Sequence, residues 1–218
     1  MSDLLLRGTN IPRVFRNATY ADYDTNRGDP QILEMLQQWR PTDAQPSVLM
    51  VGPPGLAKTM LACAALNEYQ KDLNFRAGQG KQLTTKRDES VLTYLRQERS
   101  PVYFVQLSEW IDLQLQLIRM EPGFRRDEID STEYYEINRL LLDLRTRVKL
   151  LVVDDVGKEH RTNTGFAEDA FDLLVRKRYN EGLGTIYTSN IPLDQWSSEY
   201  SVSMQSLIER SSLILTFR

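Results

Sequence analysis

Short runs of β-branched and apolar residues alternate with longer stretches of helical periodicity along this chain. The predicted strands are 47–51, 102–106, 149–153, 185–188 and 213–217, and the predicted helices include 31–39, 59–72, 108–120, 134–147 and 166–181. Strands that alternate with helices favour a parallel α/β sheet with right-handed crossovers. The runs VLMV and LLVV are typical of strands buried on both faces. The sequence therefore predicts an α/β fold around one parallel sheet.

Composition excludes several other classes of protein. The chain has 218 residues and a net charge of -3, so contact with nucleic acid requires a local basic patch. Cys63 is the only cysteine and His160 the only histidine, which excludes disulfide frameworks and structural zinc sites. No apolar run reaches the roughly 20 residues of a membrane helix, and no signal peptide is apparent. We expect a cytoplasmic protein with no membrane partner.

One polar segment interrupts the alternation of strands and helices. Residues 73–100 are rich in charge, and we interpret them as an exposed insertion with a short helix at 91–96. Residues 1–46 contain turn signals and one predicted helix, and form an N-terminal segment. Residues 47–218 form the main domain. Its last predicted strand lies at the end of the sequence, so no separate lid domain is expected.

The sequence GPPGLAKT at 52–59 follows a predicted strand and opens a predicted helix, as a phosphate-binding loop does. Backbone N–H groups and the helix N-terminus would bind phosphate oxygens, Lys58 would reach the β- and γ-phosphates, and the Thr59 hydroxyl would hold Mg²⁺. Ala57 replaces the second glycine of the pattern. Alanine costs little there if the backbone is near-helical, but a positive φ would strain the loop by about 1 kcal/mol. The alternative is a Gly/Pro turn that carries Lys-Thr by coincidence.

A second motif, KLLVVDDVGKE at 149–159, is an apolar strand that ends in two carboxylates. Ligands bind at the carboxyl edge of a parallel sheet, so we expect Asp154 to face the Mg²⁺ held by Thr59, directly or through water. Asp155 would then orient or activate the attacking water. A strand followed by an acidic turn is the alternative, but two matched motifs in the right order favour a nucleotide site.

A third motif, GTIYTSN at 184–190, is another short strand that ends in a polar residue. Asn190 is predicted to lie beside the γ-phosphate and to help position water. The signal is weak by itself, because strands often end in Ser-Asn turns. Its value lies in its position, one helix after the acidic strand.

Together these motifs resemble the DnaC/DnaI/IstB-like branch of AAA+ ATPases, which are bacterial and phage helicase loaders and transposition helper proteins. The stretches that carry the resemblance are IPRVFRNATYADY (11–23), GPPGLAKTMLACAAL (52–66), LLVVDDVGKE (150–159), LLVRKRYNEGLGTIYTSN (173–190) and LIER (207–210). The stretch RKRYNEGLGTIYTSN is the most specific to this branch, because the first two motifs alone indicate only a P-loop ATPase.

The resemblance implies a P-loop NTPase with an AAA+ (ASCE) core, in which a five-stranded parallel sheet of order 5-1-4-3-2 carries helices on both faces. Asp154–Asp155 would form Walker B, Asn190 would be sensor I, and Arg210 would be an arginine finger that acts on nucleotide bound by a neighbouring subunit. The cofactors implied are ATP and Mg²⁺. The nucleotide-binding residues implied are Gly52, Pro53, Pro54, Gly55, Leu56, Ala57, Lys58, Thr59 and Met60 of Walker A and its helix, with Val14 and Phe15 at the adenine.

The sequence also departs from the family pattern. MoxR-like AAA+ proteins share GLAKT, so we expect a competent site despite Ala57. Walker B is Asp-Asp, as in DnaI-like members, and the shorter side chain of Asp155 leaves slow hydrolysis open. About 46 residues precede the first strand, too few for the extra N-terminal module of relatives that bind a helicase.

Two functions follow from the resemblance. The first is a helicase loader that hydrolyses ATP, self-associates into a ring or helical oligomer and engages single-stranded DNA. The alternative is an IstB-like transposition helper that assembles on duplex DNA with a transposase. A monomeric P-loop kinase is a third possibility, which the position of Asn190 disfavours.

Basic residues are the candidates for DNA contact. Arg125 and Arg126, next to Phe124, lie in the added helical region where relatives grip single-stranded DNA, and Phe124 offers a stacking surface. Further clusters, such as 176–178, are more typical of a solvated face. Without the resemblance, Arg210 would be interpreted as a surface ion pair worth under about 1 kcal/mol.

Overall fold

The computed structural model contains a five-stranded parallel sheet in the order β2-β3-β4-β1-β5. It describes residues 8–26, 28–42, 44–78, 100–120, 131–158 and 165–218. The strands are β1 Ser47–Val51, β2 Val102–Gln106, β3 Leu150–Val156, β4 Gly184–Ser189 and β5 Ser212–Thr216. From the opposite edge this order is 5-1-4-3-2, so the predicted topology is confirmed.

Helices connect the strands and cover the sheet. They are α1 Pro30–Gln38, α2 Lys58–Gly78, α3 Leu107–Arg119, α4 Ser131–Thr146, α5 Phe166–Asn180, α6 Trp196–Glu199 and α7 Val202–Ser211. Short 3₁₀ turns are found at Arg13–Phe15, Tyr20–Asp22 and Leu193–Gln195. No helix in the described part of the chain is long and apolar enough to cross a membrane.

Both faces of the sheet are buried, as the apolar strands predict. Alternate residues of β1 enter different cores. Val48 and Met50 pack with α1, α2 and the N-terminal segment, whereas Leu49 and Val51 pack with α3, α4, α5 and α7. Helices therefore lie on both faces, as expected.

The second helix is longer than predicted. It continues six residues beyond 72, to Gly78, and so enters the segment that we interpreted as an exposed insertion. The buried side chain of Leu73 extends its apolar face by another turn. The rest of that segment, including the predicted helix at 91–96, lies outside the described residues, as do Phe124, Arg125 and Arg126.

The N-terminal segment is bound to the edge of the sheet and to α2. The Phe104 N–H of β2 donates to the Thr9 carbonyl at 2.8 Å, and the Asn10 side chain donates to the Phe104 carbonyl at 2.9 Å. On α2, the Asn67 side-chain amide donates to the Ala18 carbonyl at 2.9 Å. The first two bonds satisfy backbone groups of the edge strand β2 that would otherwise be open to another chain.

The third strand extends further than predicted, through both aspartates to Val156. Its register with β4 shifts between Val153 and Val156, and Asp155 has a φ of 58°. The Asp155 N–H donates to the Thr188 hydroxyl at 3.0 Å. This irregularity lets the strand continue past the point where its apolar run ends.

Candidate nucleotide-binding site

The loop after β1 leaves the sheet through Gly52. Its N–H donates to the Ser189 carbonyl of β4 at 3.2 Å, and its φ is 150°. A Cβ atom at this position would lie 2.4 Å from the Phe217 carbonyl oxygen, so only glycine fits. The start of the loop is therefore fixed between the ends of two strands.

The loop ends at Ala57, which has a φ of 59°. Its carbonyl accepts the Leu61 N–H at 2.9 Å, and α2 begins at the next residue. Of the two conformations considered from the sequence, the left-handed one is present. Because a left-handed backbone brings Cβ close to the following carbonyl, we assign strain of about 1 kcal/mol to this alanine.

Lys58 lies folded over the loop that precedes it. Its Nζ donates to the carbonyls of Gly52 and Pro53, both at 2.7 Å, and to the Asn190 Oδ1 at 2.9 Å. Burial lowers the pKa of the Lys58 ammonium, and the Asp155 carboxylate opposes that shift. The structure thus brings the predicted lysine and the predicted sensor asparagine into direct contact.

Asp154 is the buried acid of the site, with only 2% of its surface exposed. Its Oδ1 accepts hydrogen bonds from the hydroxyls of Thr59 at 2.9 Å and Thr188 at 2.6 Å. Burial raises the pKa of Asp154, whereas these two hydrogen bonds lower it. The Thr59–Asp154 contact brings together the two predicted metal ligands.

Oxygen ligands of this kind suit Mg²⁺, which is typically held by one or two protein side chains together with water and phosphate oxygens. Within the described ranges, no group of three or more His, Cys, Asp or Glu side chains is placed to hold a metal. The Thr59 hydroxyl and the Asp154 carboxylate, in contact at 2.9 Å, fit Mg²⁺ that arrives with a nucleotide.

Two residues of the site were not predicted. Thr188 bonds Asp154 from β4, and Lys158 forms an ion pair with Asp155, with 2.8 Å between Nζ and Oδ1. A hydroxyl residue two positions before the predicted sensor, Asn190, was a weak signal for Thr188. The Gly-Lys pair shortly after the two aspartates was a signal for Lys158.

An open groove of about 420 Å³ runs along the loop. Its walls contain residues from the loop, from the start of α2, from the ends of β3 and β4, and from the N-terminal segment: Phe15, Pro54, Gly55, Leu56, Ala57, Lys58, Thr59, Met60, Asp155, Lys158 and Asn190. Phe15 borders the groove, whereas Val14 does not line it and is 82% exposed; their placement at the adenine stays a prediction. A second cavity of about 450 Å³ shares residues 55–57 with the groove and extends to Tyr23 and Phe217.

Solved structures of replication proteins share this fold. DnaI superposes with a TM-score of 0.58 at 18% identity over the full length of both chains, and the DnaC helicase loader with 0.59 at 19%, over 95% of this chain and all of that one. The chain has the fold of the DnaC/DnaI-like AAA+ proteins. AMPPCP-bound DnaA from Aquifex aeolicus superposes with 0.60 at 15% identity, and this chain spans about half of its length. No family model and no curated protein matches the sequence.

The AAA+ fold places the predicted arginine finger outside the groove of its own chain. Arg210 lies in the last turn of α7, exposed, with its guanidinium carbon 5.8 Å from the centre of the Tyr179 ring. It does not line the groove. The role of Arg210 as an arginine finger, which would act on nucleotide bound by a second subunit, stays a prediction.

Proposed function

We propose that the groove binds ATP with Mg²⁺ and hydrolyses the nucleotide. The observation that carries the proposal is the meeting of four predicted residues from three parts of the chain: the start of α2, the end of β3 and the end of β4. Lys58 contacts Asn190, and Thr59 contacts Asp154, across sequence separations of 132 and 95 residues. A chance Gly/Pro turn has no reason to bring a lysine, an amide, a hydroxyl and a carboxylate to one edge of a sheet.

Binding of the triphosphate would replace the present partners of Lys58. Its ammonium is held by two loop carbonyls and by Asn190, and these are neutral acceptors. Phosphate oxygens are charged acceptors and form stronger hydrogen bonds. On ATP binding, Lys58 is therefore expected to transfer to the β- and γ-phosphates, which releases the Asn190 side chain toward the γ-phosphate and the attacking water.

Thr59 and Asp154 would hold the metal ion. When bound, Mg²⁺ neutralises charge that develops on the phosphate oxygens. The protein's contribution is positional, because Thr188 and Thr59 both bond Oδ1 and so fix the orientation of the Asp154 carboxylate.

Asp155 and Asn190 would act on water. Both line the groove, and the Asp155 side chain is about one-third exposed, so water reaches it. We assign Asp155 to orient or deprotonate the water, and Asn190 to hold it in line with the γ-phosphate. An aspartate reaches less far than a glutamate, which favours a slow turnover.

The biological role we propose is that of a DnaC/DnaI-like helicase loader, with self-association and contact with single-stranded DNA. Two observations support it: the fold is shared with DnaI and the DnaC helicase loader, and also with DnaA in a complex with AMPPCP and single-stranded DNA. Arg125 and Arg126 remain the proposed DNA-contacting residues, and a replicative helicase the proposed partner.

The nucleotide proposal is tested by titrating the protein with a fluorescent ATP analogue, with and without Mg²⁺. We expect saturable binding that requires Mg²⁺ and that Lys58→Ala abolishes. Lys71→Ala is the matched control, since Lys71 is an exposed lysine paired with Glu68 elsewhere on α2. Equal binding by the wild type and Lys58→Ala would overturn the proposal.

The loader role is tested by mass measurement in the presence of nucleotide, with and without single-stranded DNA. We expect ATP to produce a larger species that retains DNA, and the retention to fall steeply with salt, since phosphate contacts release counterions. Arg125→Ala combined with Arg126→Ala should weaken retention without changing ATP binding. The role would be contradicted if the protein bound ATP but stayed monomeric, and retained no DNA, under all conditions.

A further inference from the structure

The ion pair between Lys158 and Asp155 lies inside the groove. The Lys158 ammonium is 2.8 Å from the Asp155 carboxylate, and both residues line the walls with Lys58 and Asn190. The Asp155 carboxylate, which we assign to the attacking water, is thus paired with a lysine of the same chain.

A tight turn after β3 holds this lysine in place. The Lys158 N–H donates to the Asp155 carbonyl at 3.2 Å, and Gly157 between them has a φ of 95°. A Cβ atom on Gly157 would lie 2.2 Å from the Ile191 Cδ1, so the turn is packed against the residue that follows the sensor asparagine. The backbone is fixed by this packing, whereas the side chain of Lys158 is free to rotate on its four-carbon stem.

Stability alone does not account for the pair. The side chains of Lys158 and Asp155 are 55% and 35% exposed, and exposed pairs at this spacing contribute roughly 0–1 kcal/mol. The pair is therefore easily exchanged for a stronger partner. A terminal phosphate carries more charge than a carboxylate, and offers three acceptor oxygens.

We propose that Lys158 senses the γ-phosphate: its ammonium leaves Asp155 for the terminal phosphate when ATP occupies the groove, and remains on Asp155 when ADP does. The inference rests on the proposed nucleotide site and adds a regulatory step to it. With ADP bound, the acid stays paired. With ATP bound, Lys158 separates the negative phosphate from the negative carboxylate, and Asp155 is released to face water.

The electrostatics of the groove agree with this exchange. Lys158 is close enough to Lys58 to lower the pKa of its ammonium, although burial is the larger cause. Two lysines in one groove repel each other until an anion with several charges lies between them. A triphosphate whose terminal phosphate lies near β3 would contact both Lys58 and Lys158, whereas a diphosphate would reach only Lys58.

The experiment compares the affinities of Mg-ATP and Mg-ADP for the wild type, Lys158→Ala and Lys71→Ala by calorimetry. Lys71 is the matched control because it forms an exposed pair of the same i,i+3 spacing with Glu68, at 2.7 Å, outside the groove. Loss of one charge-assisted bond should weaken ATP binding by Lys158→Ala about tenfold, with ADP binding unchanged and both affinities unchanged in Lys71→Ala.

The outcomes separate the inference from the nucleotide site itself. An equal loss for ATP and ADP, or no loss for either, would overturn the role of Lys158 while leaving the site intact. A similar loss of ATP affinity in Lys71→Ala would also overturn it, because the effect would then be one of overall charge. Absence of ATP binding in the wild type would refute the proposed function instead.

Discussion

The Thr188 hydroxyl donates a 2.6 Å hydrogen bond to the Oδ1 of Asp154, on the neighbouring strand. The same hydroxyl oxygen accepts the N–H of Asp155 at 3.0 Å. One side chain of β4 therefore fixes both the carboxylate assigned to the metal and the left-handed backbone of the residue that follows it. We regard Thr188 as the positioning residue of the acidic strand.

Replacing Thr188 by valine should test this role, because valine keeps the shape and removes both hydrogen bonds. The half-buried Asp155 N–H and the buried Asp154 carboxylate then lose a partner, which should lower the free energy of unfolding by about 1–3 kcal/mol. The measurement is urea unfolding followed by circular dichroism. Thr188→Ser keeps the hydroxyl and should lose less than the valine variant. A serine variant as unstable as the valine variant would mean that packing of the methyl group matters, and not the hydrogen bonds.

At Ala57 we expect a substitution to stabilise the protein. Glycine adopts a positive φ without the penalty of about 1–2 kcal/mol that an L-residue carries, and this gain exceeds the extra freedom that glycine gives the unfolded chain, about 0.4–1 kcal/mol. Ala57→Gly should therefore raise the free energy of unfolding by up to about 1 kcal/mol in the same urea assay. Ala62→Gly, one turn further along α2, should instead lose about 1 kcal/mol or more, because glycine is unfavourable within a helix. A loss at both positions would indicate that Ala57 is not strained.

The site was predictable where it depends on order and topology. A phosphate loop after the first strand and acids at the end of a neighbouring strand must meet at one edge of a parallel sheet, so Lys58, Thr59, Asp154 and Asn190 could be placed from sequence. The φ of Ala57 was not predictable, because it depends on how the loop closes against β4 and β5. Lys158 was missed because its contact requires a turn whose shape is set by packing.

One interpretation of the basic clusters was wrong. The cluster at 176–178 was interpreted as a solvated face, but Arg178 is fully buried. Its position at spacing i+4 from Leu174 and i+7 from Phe171, both buried, was a signal that it lies on the inner face of α5. The three adjacent charges at 176–178 drew attention away from the helical periodicity that places Arg178 on the buried face of α5.

The buried Arg178 should be essential for stability. Its guanidinium donates to the Thr185 hydroxyl at 2.8 Å, to the Val148 carbonyl at 3.1 Å, and to the Leu144 and Gly184 carbonyls. Arg178→Met leaves several buried acceptors without this donor, so we expect the free energy of unfolding to fall by about 3 kcal/mol or more.

A nearby arginine of α5 is the matched control for this change. Arg176 is 42% exposed and paired with Asp172 at 2.6 Å, so Arg176→Met should lose under about 1 kcal/mol. Chemical denaturation of both variants gives the comparison. Similar losses for Arg178→Met and Arg176→Met would contradict the structural role of Arg178.

Any action of Arg210 on a neighbouring subunit depends on self-association. If Arg210 acts on nucleotide bound by a neighbour, Arg210→Ala should bind ATP like the wild type, while assembly-dependent hydrolysis falls by about 10³-fold, as loss of an arginine finger does. Tyr179→Leu removes the ring beneath the guanidinium and keeps the arginine, so it should retain most of the activity.

Phosphate release by mixed variants is the decisive measurement of action between subunits. Lys58→Ala has an intact finger and Arg210→Ala an intact loop, so a mixture should recover activity that neither shows alone. Normal turnover by Arg210→Ala would exclude action between subunits.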